Sequence, residues 1–290
     1  MEPYVERLNK MKKLIEKSDY IIIGGGAGLS AAAGITYSGK RFVDNFGDFL
    51  KKYYLTDMYS ATFFPFPTEE EYWANWARHI FVNLYNMPAT ILYKELLKLV
   101  NNKKYFVITT NVDRQFIKAG FNTSNVFEVQ GTYQYFQCAK SCHNVLYDNE
   151  KIINKMVEST NDCMIPKHLV PRCPICGGKM AVNVRYNEYF VQDNHWHEAY
   201  NRYQDFLNAS MEGSTTFLEI GVGFSTPEII RYQFEQLVCD NNNAALIRLN
   251  KDFPKSSIRD KDRTICFNED IFKILQNVNN HINKSYLGRA

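Results

Sequence analysis

Apolar and polar positions along this chain follow two rhythms, and the changes between them mark its elements. Val5, Leu8, Met11, Leu14 and Ile15 recur at helical spacing with lysines between, so residues 4–17 predict an amphipathic helix. It leads into an unbroken apolar run, Tyr20-Ile21-Ile22-Ile23, whose β-branched residues predict a strand buried on both faces. Five more short runs predict further strands: Tyr105-Phe106-Val107-Ile108, Phe127-Glu128-Val129, Phe217-Leu218-Glu219-Ile220, Ala245-Leu246-Ile247-Arg248-Leu249 and Thr264-Ile265-Cys266-Phe267. Helical stretches lie between them, with Thr226 and Pro227 as helix starters after the fourth run and a last amphipathic helix over residues 269–282. Strands alternating with helices predict an α/β fold, a Rossmann-like, doubly wound, mainly parallel sheet.

Two segments interrupt that alternation. Residues 43–104 read as a helical insertion, with Thr68-Glu69-Glu70-Glu71 as a capping box before Tyr72, Trp73, Trp76, Ile80 and Phe81. Pro88 is expected to open a second helix there, with its leucines on one face. The aromatic stripe predicts a helical core rather than a ligand pocket. Residues 133–181 form a small cysteine-bearing module. The sheet domain then comprises residues 1–42, 105–132 and 182–290, with the pattern resuming from Val182 and a long helix from about Asn194. His195 and His197, two residues apart, do not share a helix face and read as surface histidines.

Composition narrows the class. With 45% hydrophobic and 22% charged residues this is an ordinary globular chain, and a net charge of +3 without a run of basic residues excludes a nucleic-acid footprint. Residues 20–39 are uncharged, but six glycines and a run of alanines make them too weakly apolar for a membrane span. The first 19 residues carry charge throughout, unlike an export signal, so a cytoplasmic location is expected. Seven cysteines without an export signal favour metal over disulfides. Cys138 and Cys142 form one pair and Cys173 and Cys176 the other, the second in Cys-Pro-Ile-Cys-Gly-Gly. Four soft ligands in two chelating pairs suit tetrahedral, structural Zn2+; His143 and Cys163 are alternative ligands, and a redox thiol site or cysteines that have lost the metal are the other readings.

The first strand runs into Gly24, Gly25, Gly26 and Gly28, followed by Ser30 and a run of alanines. A glycine turn opening a helix presents unpaired N–H groups to a diphosphate. The pattern Gly26-Ala27-Gly28-Leu29-Ser30-Ala31 also fits G-x-G-x-x-A. A dinucleotide oxidoreductase would continue into a second strand ending in an acid; Asp44 and Asp48 lie at that distance, but no strand leads to them. The second strand ends in Thr109-Thr110-Asn111-Val112-Asp113, polar residues at the sheet edge where ligands bind in open α/β sheets.

Gly26-Ala27-Gly28-Leu29-Ser30, Ala33-Gly34-Ile35, Thr109-Thr110-Asn111-Val112-Asp113, Gln130-Gly131, the cysteine pairs, Tyr186-Asn187-Glu188, Gly221-Val222-Gly223 and Leu249-Asn250 together resemble the sirtuins in order and spacing. The resemblance implies a zinc-ribbon module beside the large domain and NAD consumed as a substrate. It implies that residues 26–30 hold the diphosphate. Thr110, Asn111 and Asp113 would hold the nicotinamide end, and Gly221, Val222, Gly223 and Asn250 the adenosine half.

The departures from the family's pattern carry the functional reading. Where sirtuins place a histidine, this chain has Gln130, and a carboxamide cannot act as a base near neutral pH. Gln130 can still orient the ribose hydroxyls, and Asp113 is an alternative base. The family's Pro-Asp-Phe-Arg is replaced by Thr36-Tyr37-Ser38-Gly39, after which Lys40, Arg41 and Phe42 could supply a displaced cation and aromatic. These changes resemble the class M sirtuins of microbial pathogens, described as protein ADP-ribosyltransferases. That group is linked to a macrodomain hydrolase and modifies a lipoyl-carrying, glycine-cleavage-H-like protein. The expectation is NAD-dependent ADP-ribosylation of an acceptor protein, with Asn111, Asp113 and Gln130 at the reaction. Residual deacylation of acyl-lysine and a non-catalytic NAD-binding module are the alternatives.

Overall fold

The unbroken apolar runs form the middle of a six-stranded parallel sheet. The computed structural model describes residues 2–287, with side chains as far as Asn280; Met1 and residues 288–290, within the expected sheet domain, lie outside the described residues. The strands are β1 (Tyr20–Gly25), β2 (Lys104–Thr109), β3 (Val126–Glu128), β4 (Gly131–Cys138), β5 (Tyr147–Asp148), β6 (Met180–Val184), β7 (Thr215–Ile220), β8 (Ala244–Leu249) and β9 (Thr264–Phe267). The helices are α1 (Tyr4–Lys17), α2 (Ala27–Ala32), α3 (Lys40–Tyr53), α4 (Met58–Thr62), α5 (Glu69–Ile80), α6 (Ile91–Val100), α7 (Gln115–Lys118), α8 (Glu150–Glu158), α9 (Asn194–Ser210), α10 (Arg231–Asp240) and α11 (Ile271–Leu287).

The large sheet has the order β3-β2-β1-β7-β8-β9, every pair parallel. The chain steps outward through β2 and β3 on one side of β1 and through β8 and β9 on the other, so winding reverses between β1 and β7. Clefts at such reversals are where open α/β sheets bind ligands. The pleat sends successive isoleucines to opposite faces. Ile21 and Ile23 pack with Leu8 and Met11 of α1, Leu96 of α6 and Ile274 of α11. Ile22 packs on the other face with Tyr203 of α9 and Phe234 of α10. Both layers are apolar and buried, which is why the strand reads as continuous apolar sequence.

A second, antiparallel sheet, β5-β4-β6, carries the cysteines. Its apolar residues share one core with α3 and α5: Phe42, Phe46, Phe49, Trp73 and Ile80 lie in the same cluster as Tyr133, Phe136, Cys138 and Val182. α6 instead belongs to the core of the large sheet through Leu92, Tyr93 and Leu96. The capping box forms as expected: Thr68 accepts from Glu71 N, and the Glu71 carboxylate accepts from Thr68 N. The tryptophan stripe of α5 is core, with Trp73 and Trp76 buried.

Four details differ from the sequence expectation. Val182 does not reopen the large sheet; it pairs with Phe136 in the small one, and the large sheet resumes at β7. The helix expected at Pro88 begins at Ile91: Gln115 binds Thr90 N and Pro88 O, and Thr90 is extended. The helix expected at Thr226 begins at Arg231; Ile229 N to Thr226 O and Tyr232 N to Pro227 O close a separate turn first. Phe42 is not a displaced aromatic for a ligand, since it is buried and stacks on Phe46 at 5.4 Å; Lys40 is exposed and pairs with Asp44 one turn on.

Candidate dinucleotide site and cysteine cluster

Two glycine turns meet at the C-terminal ends of β1 and β7. Gly28 N donates to Gly221 O at 2.9 Å. A Cβ on Gly26 would lie 2.7 Å from Gly221 O and Val222 Cα, and one on Gly28 would lie 2.9 Å from Gly221 Cα. Gly221 adopts φ +63°, and a Cβ there would lie 2.1 Å from Leu29 N. Backbone against backbone at this distance excludes any side chain. Gly223 has open space around it, so its glycine answers to no packing demand. Ala27 opens α2, and Val222 is buried.

The end of β2 lies against this turn. Asn111 Nδ2 donates to Gly26 O at 3.0 Å, Ser30 Oγ at 3.1 Å and Tyr93 Oη at 3.2 Å. Ser30 Oγ donates to Asp113 Oδ2 at 2.5 Å, and Gln115 N donates to Asp113 Oδ1 at 3.1 Å. Burial pushes the Asp113 carboxyl above its ordinary value, against the pull of the Ser30 and Gln115 bonds. Thr110 N donates to Gly25 O at 3.1 Å, fixing the residue before Asn111. Gly26, Gly28, Ser30, Asn111 and Asp113 therefore form one connected group.

After β8, Asn250 Nδ2 donates to Val222 O at 2.7 Å, while its Oδ1 accepts from Asp252 N and Phe253 N. Asn250 thus ties the turn after β7 to the turn after β8. Gln130 stands at the junction of β3 and β4: its Nε2 donates to Thr226 Oγ1 at 3.3 Å, and its carbonyl accepts from Arg185 N at 3.0 Å. The next residue, Gly131, has φ +82°, and a Cβ would lie 2.1 Å from Asn183 O.

Several residues of this group were missed in the sequence. Tyr93 hides in the apolar face of α6, yet its hydroxyl joins Ser30 and Asn111. Glu128 and Arg114 flank Asp113, Arg114 Nε lying 3.6 Å from Glu128 Oε2. Burial outweighs that long ion pair and raises Glu128 to about 7. An arginine directly after Asp113 and an acid two positions before Gln130 were the readable hint. Asp44 and Asp48, at the distance of a ribose-binding acid, sit on α3 paired with Lys40 and Arg78. His195 and His197 are exposed in the first turn of α9.

The cysteine cluster assembles as its spacing predicted. The sulfurs of Cys138, Cys142, Cys173 and Cys176 lie within 4.8 Å of one another, with Cys138–Cys176 at 3.8 Å and Cys142–Cys173 at 3.7 Å. Tetrahedral Zn–S bonds of about 2.3 Å require sulfurs about 3.8 Å apart, so the donor set fits zinc with no position left open. The turn that presents the second pair is closed by Gly177 N to Cys173 O and Cys173 N to Gly178 O, both 2.8 Å. Backbone N–H groups of residues 175 and 176 lower the Cys173 thiol, as a metal thiolate needs. His143 stands behind the cluster, Nδ1 at 3.0 Å from Cys142 Sγ and Nε2 at 2.8 Å from Tyr147 Oη. Cys163 is elsewhere, buried in the helical core beside Asp48 and Lys52.

Comparison with known proteins agrees with this architecture. The Sir2 family model matches residues 26–212. A protein ADP-ribosyltransferase of Staphylococcus aureus is 37% identical over 276 residues, covering 95% of this chain and 88% of that protein. A probable bifunctional ADP-ribose hydrolase/ADP-ribosyltransferase of Fusarium oxysporum is 28% identical, and this chain spans 42% of its length. An NAD-dependent protein deacetylase of Clostridium perfringens is 30% identical over 65% of this chain and 70% of that protein. Among solved structures, a Sir2 homologue in complex with NAD superposes with a TM-score of 0.60 over 96% of this chain and 94% of that one, at 18% identity. No described helix is long and apolar enough to cross a membrane. The chain belongs to the Sir2 family.

Proposed function

We propose that this protein transfers ADP-ribose from NAD to an acceptor protein and releases nicotinamide. The observation that carries this reading is Gln130, standing where the family places a histidine, beside glycine turns and a polar strand end that suit a dinucleotide. The 37% identity with the Staphylococcus aureus ADP-ribosyltransferase over nearly the whole chain supports it. NAD would lie with its diphosphate on residues 26–30, its nicotinamide end toward Thr110, Asn111 and Asp113, and its adenosine toward Gly221, Val222, Gly223 and Asn250. Gln130 would orient the ribose diol.

Breaking the nicotinamide–ribose bond asks for orientation and desolvation more than for a base. Asn111 is suited to orientation because three acceptors fix its amide. We take the acceptor to be a lipoyl-carrying, glycine-cleavage-H-like protein and a macrodomain ADP-ribosyl hydrolase to be the reversing partner; both acting in the cytoplasm. The bifunctional name of the Fusarium relative supports the hydrolase link. Zinc in the cysteine cluster would tie β4 to the knuckle and take no part in the reaction.

Intact-mass measurement of a lipoylated carrier protein incubated with the enzyme and NAD tests the reading. A gain of one ADP-ribose is expected. Loss of an acyl group with release of O-acyl-ADP-ribose would move the assignment to deacylation, and no change with NAD bound would leave a binding module. Asn111→Ala should abolish transfer while NAD-free folding persists.

A further inference from the structure

β7 and β8 each bury one charge in an otherwise mostly apolar run, and the two stand side by side. Glu219 and Arg248 are register partners, and neither is exposed. Each is the last residue but one of its strand, beneath the turns that open at Gly221 and Asn250. Arg248 grips the Glu219 carboxylate with Nε at 2.8 Å and Nη2 at 2.7 Å. Arg231, the first residue of α10, adds its Nη1 at 3.2 Å. Glu235, one turn on, pairs with Arg248 Nη1 at 2.8 Å. Two acids and two guanidiniums thus close a charge-balanced quartet.

Burying charges costs free energy, and a well-packed apolar set of similar volume is often as stable or more so. The quartet does what an apolar set could not, because it holds backbone carbonyls. Arg231 Nη2 donates to Phe253 O at 3.0 Å and Lys255 O at 2.8 Å, and its Nη1 reaches Val222 O at 3.4 Å. Arg248 Nη1 also donates to Lys255 O, and Glu235 accepts from Ser257 N and Oγ. The Arg231 guanidinium lies 4.7 Å from the centre of the Phe224 ring, which meets Phe253 edge to face at 5.0 Å. Residues 222–224 and 253–257 are therefore fixed to the same buried charges. Asn250 spans these two segments, donating to Val222 O and accepting from Phe253 N. Its placement follows from theirs.

We propose that Glu219, Arg231 and Arg248 are positioning residues for the adenosine half of NAD, setting the affinity for the dinucleotide and not the rate of its cleavage. This rests on the placement of adenosine toward residues 221–223 and Asn250 in the reading above. The quartet acts through the backbone. Arg231 works on Val222 O and on the carbonyls of residues 253 and 255. Glu219 works by holding both guanidiniums in the orientation that reaches them, which a rigid planar fork allows. Contacts with the adenosine half are the same before and during bond cleavage, so loosening them raises KM and spares kcat.

The test uses the full chain, calorimetric titration with NAD and with AMP, and nicotinamide release in the presence of a lipoylated carrier protein. Arg231→Met should weaken NAD and AMP by the same factor, about tenfold or more, with kcat at saturating NAD within about twofold of the parent. Arg231→Lys, which keeps the charge but not the fork, should fall between the two. Glu235→Ala, at the outer margin of the quartet, should weaken both ligands about threefold and carries the test if Arg231→Met does not fold. AMP affinity unchanged in these variants, or kcat falling as far as affinity, would overturn the proposal. A parent chain that binds NAD but not AMP would overturn it too. A parent that binds both and shows the affinity losses on substitution, yet modifies no carrier protein, would remove the transfer reading and leave this one standing. Melting curves establish which variants are folded.

Discussion

The Ser30 hydroxyl donates to Asp113 Oδ2 at 2.5 Å and is the last link in a set of donors that all run toward that carboxylate. Asn111 Nδ2 reaches Ser30 Oγ at 3.1 Å, and Tyr93 Oη lies 2.8 Å from it. Because the single Ser30 proton is committed to Asp113, Tyr93 must donate to Ser30. Gln115 N supplies the other oxygen. The network is thus polarised for an ionised Asp113, although burial pushes that carboxyl upward.

Ser30→Ala should therefore raise the Asp113 pKa further, since it removes a donor to the charged form. The acid limb of the pH–rate profile for nicotinamide release should move up by about one unit, as a hydrogen bond to a charged group is worth about 1.5–3 kcal/mol. Stability follows the same sign. A carboxyl with a raised folded-state pKa contributes fully below its unfolded value and loses that contribution as pH rises through the folded one. Ser30→Ala should accordingly cost more melting temperature at pH 8 than at pH 4. An acid limb that stays in place would show that Asp113 does not govern the reaction.

Glu128 gives a cleaner stability prediction. Its side chain is 17% exposed, and its Arg114 partner, at 3.6 Å, is too distant for a hydrogen bond. Burial leads and lifts Glu128 to about 7. Its contribution is complete below about pH 4.5 and is lost as pH rises through about 7. Glu128→Gln, which never ionises, should be more stable than the parent above pH 7 by on the order of 2–3 kcal/mol. Urea melts at pH 5 and pH 8 measure the difference; equal gaps at both values would mean that Glu128 ionises as freely in the fold as out of it.

The cysteine cluster predicts metal content. Cys173→Ser should reduce bound zinc from about one per chain to none and lower the melting temperature, because the ligands join β4 to the knuckle and β4 shares its core with α5. His143→Ala should retain zinc with affinity weakened about 10–100-fold, as for an outer-shell partner. Loss of zinc from His143→Ala as complete as from Cys173→Ser would make His143 a ligand.

How much of this was legible depended on whether local sequence carried the whole demand. β1 and β2 are buried on both faces and answer that with nearly unbroken apolar sequence, while β7 keeps one buried charge, Glu219, held by Arg248 and Arg231. The small sheet was not legible, because Gln137 and Asn183 are buried polar residues satisfied by each other at 2.7 Å. Nothing in either residue announces that pairing across 46 positions. The glycines, Asn111 and Asp113 stood out because small and polar residues interrupt strands at their ends. Tyr93 did not. An aromatic at helix spacing looks like core until a long-range hydrogen bond gives its polar atom a task.

The contact between the two glycine turns predicts opposite outcomes for two Gly→Ala changes. At Gly221 the added carbon meets Leu29 N at 2.1 Å and Gly28 C at 2.4 Å, and the residue holds φ +63°. Neither contact is with a flexible side chain, so one backbone must move, and the left-handed conformation adds its own strain. Gly221→Ala should destabilise by about 3 kcal/mol or more and weaken NAD binding, because it parts the turns after β1 and β7. Gly47 opens the second part of α3, directly after the kink at Phe46, with nothing within 4 Å of an added carbon. Gly47→Ala should stabilise by about 0.5–1 kcal/mol through helix propensity and reduced freedom of the unfolded chain, without touching NAD affinity. Paired denaturation and NAD titrations read both. If Gly221→Ala folds and binds NAD as the parent does, the two turns do not meet as described, and the cradle loses the packing that shapes it.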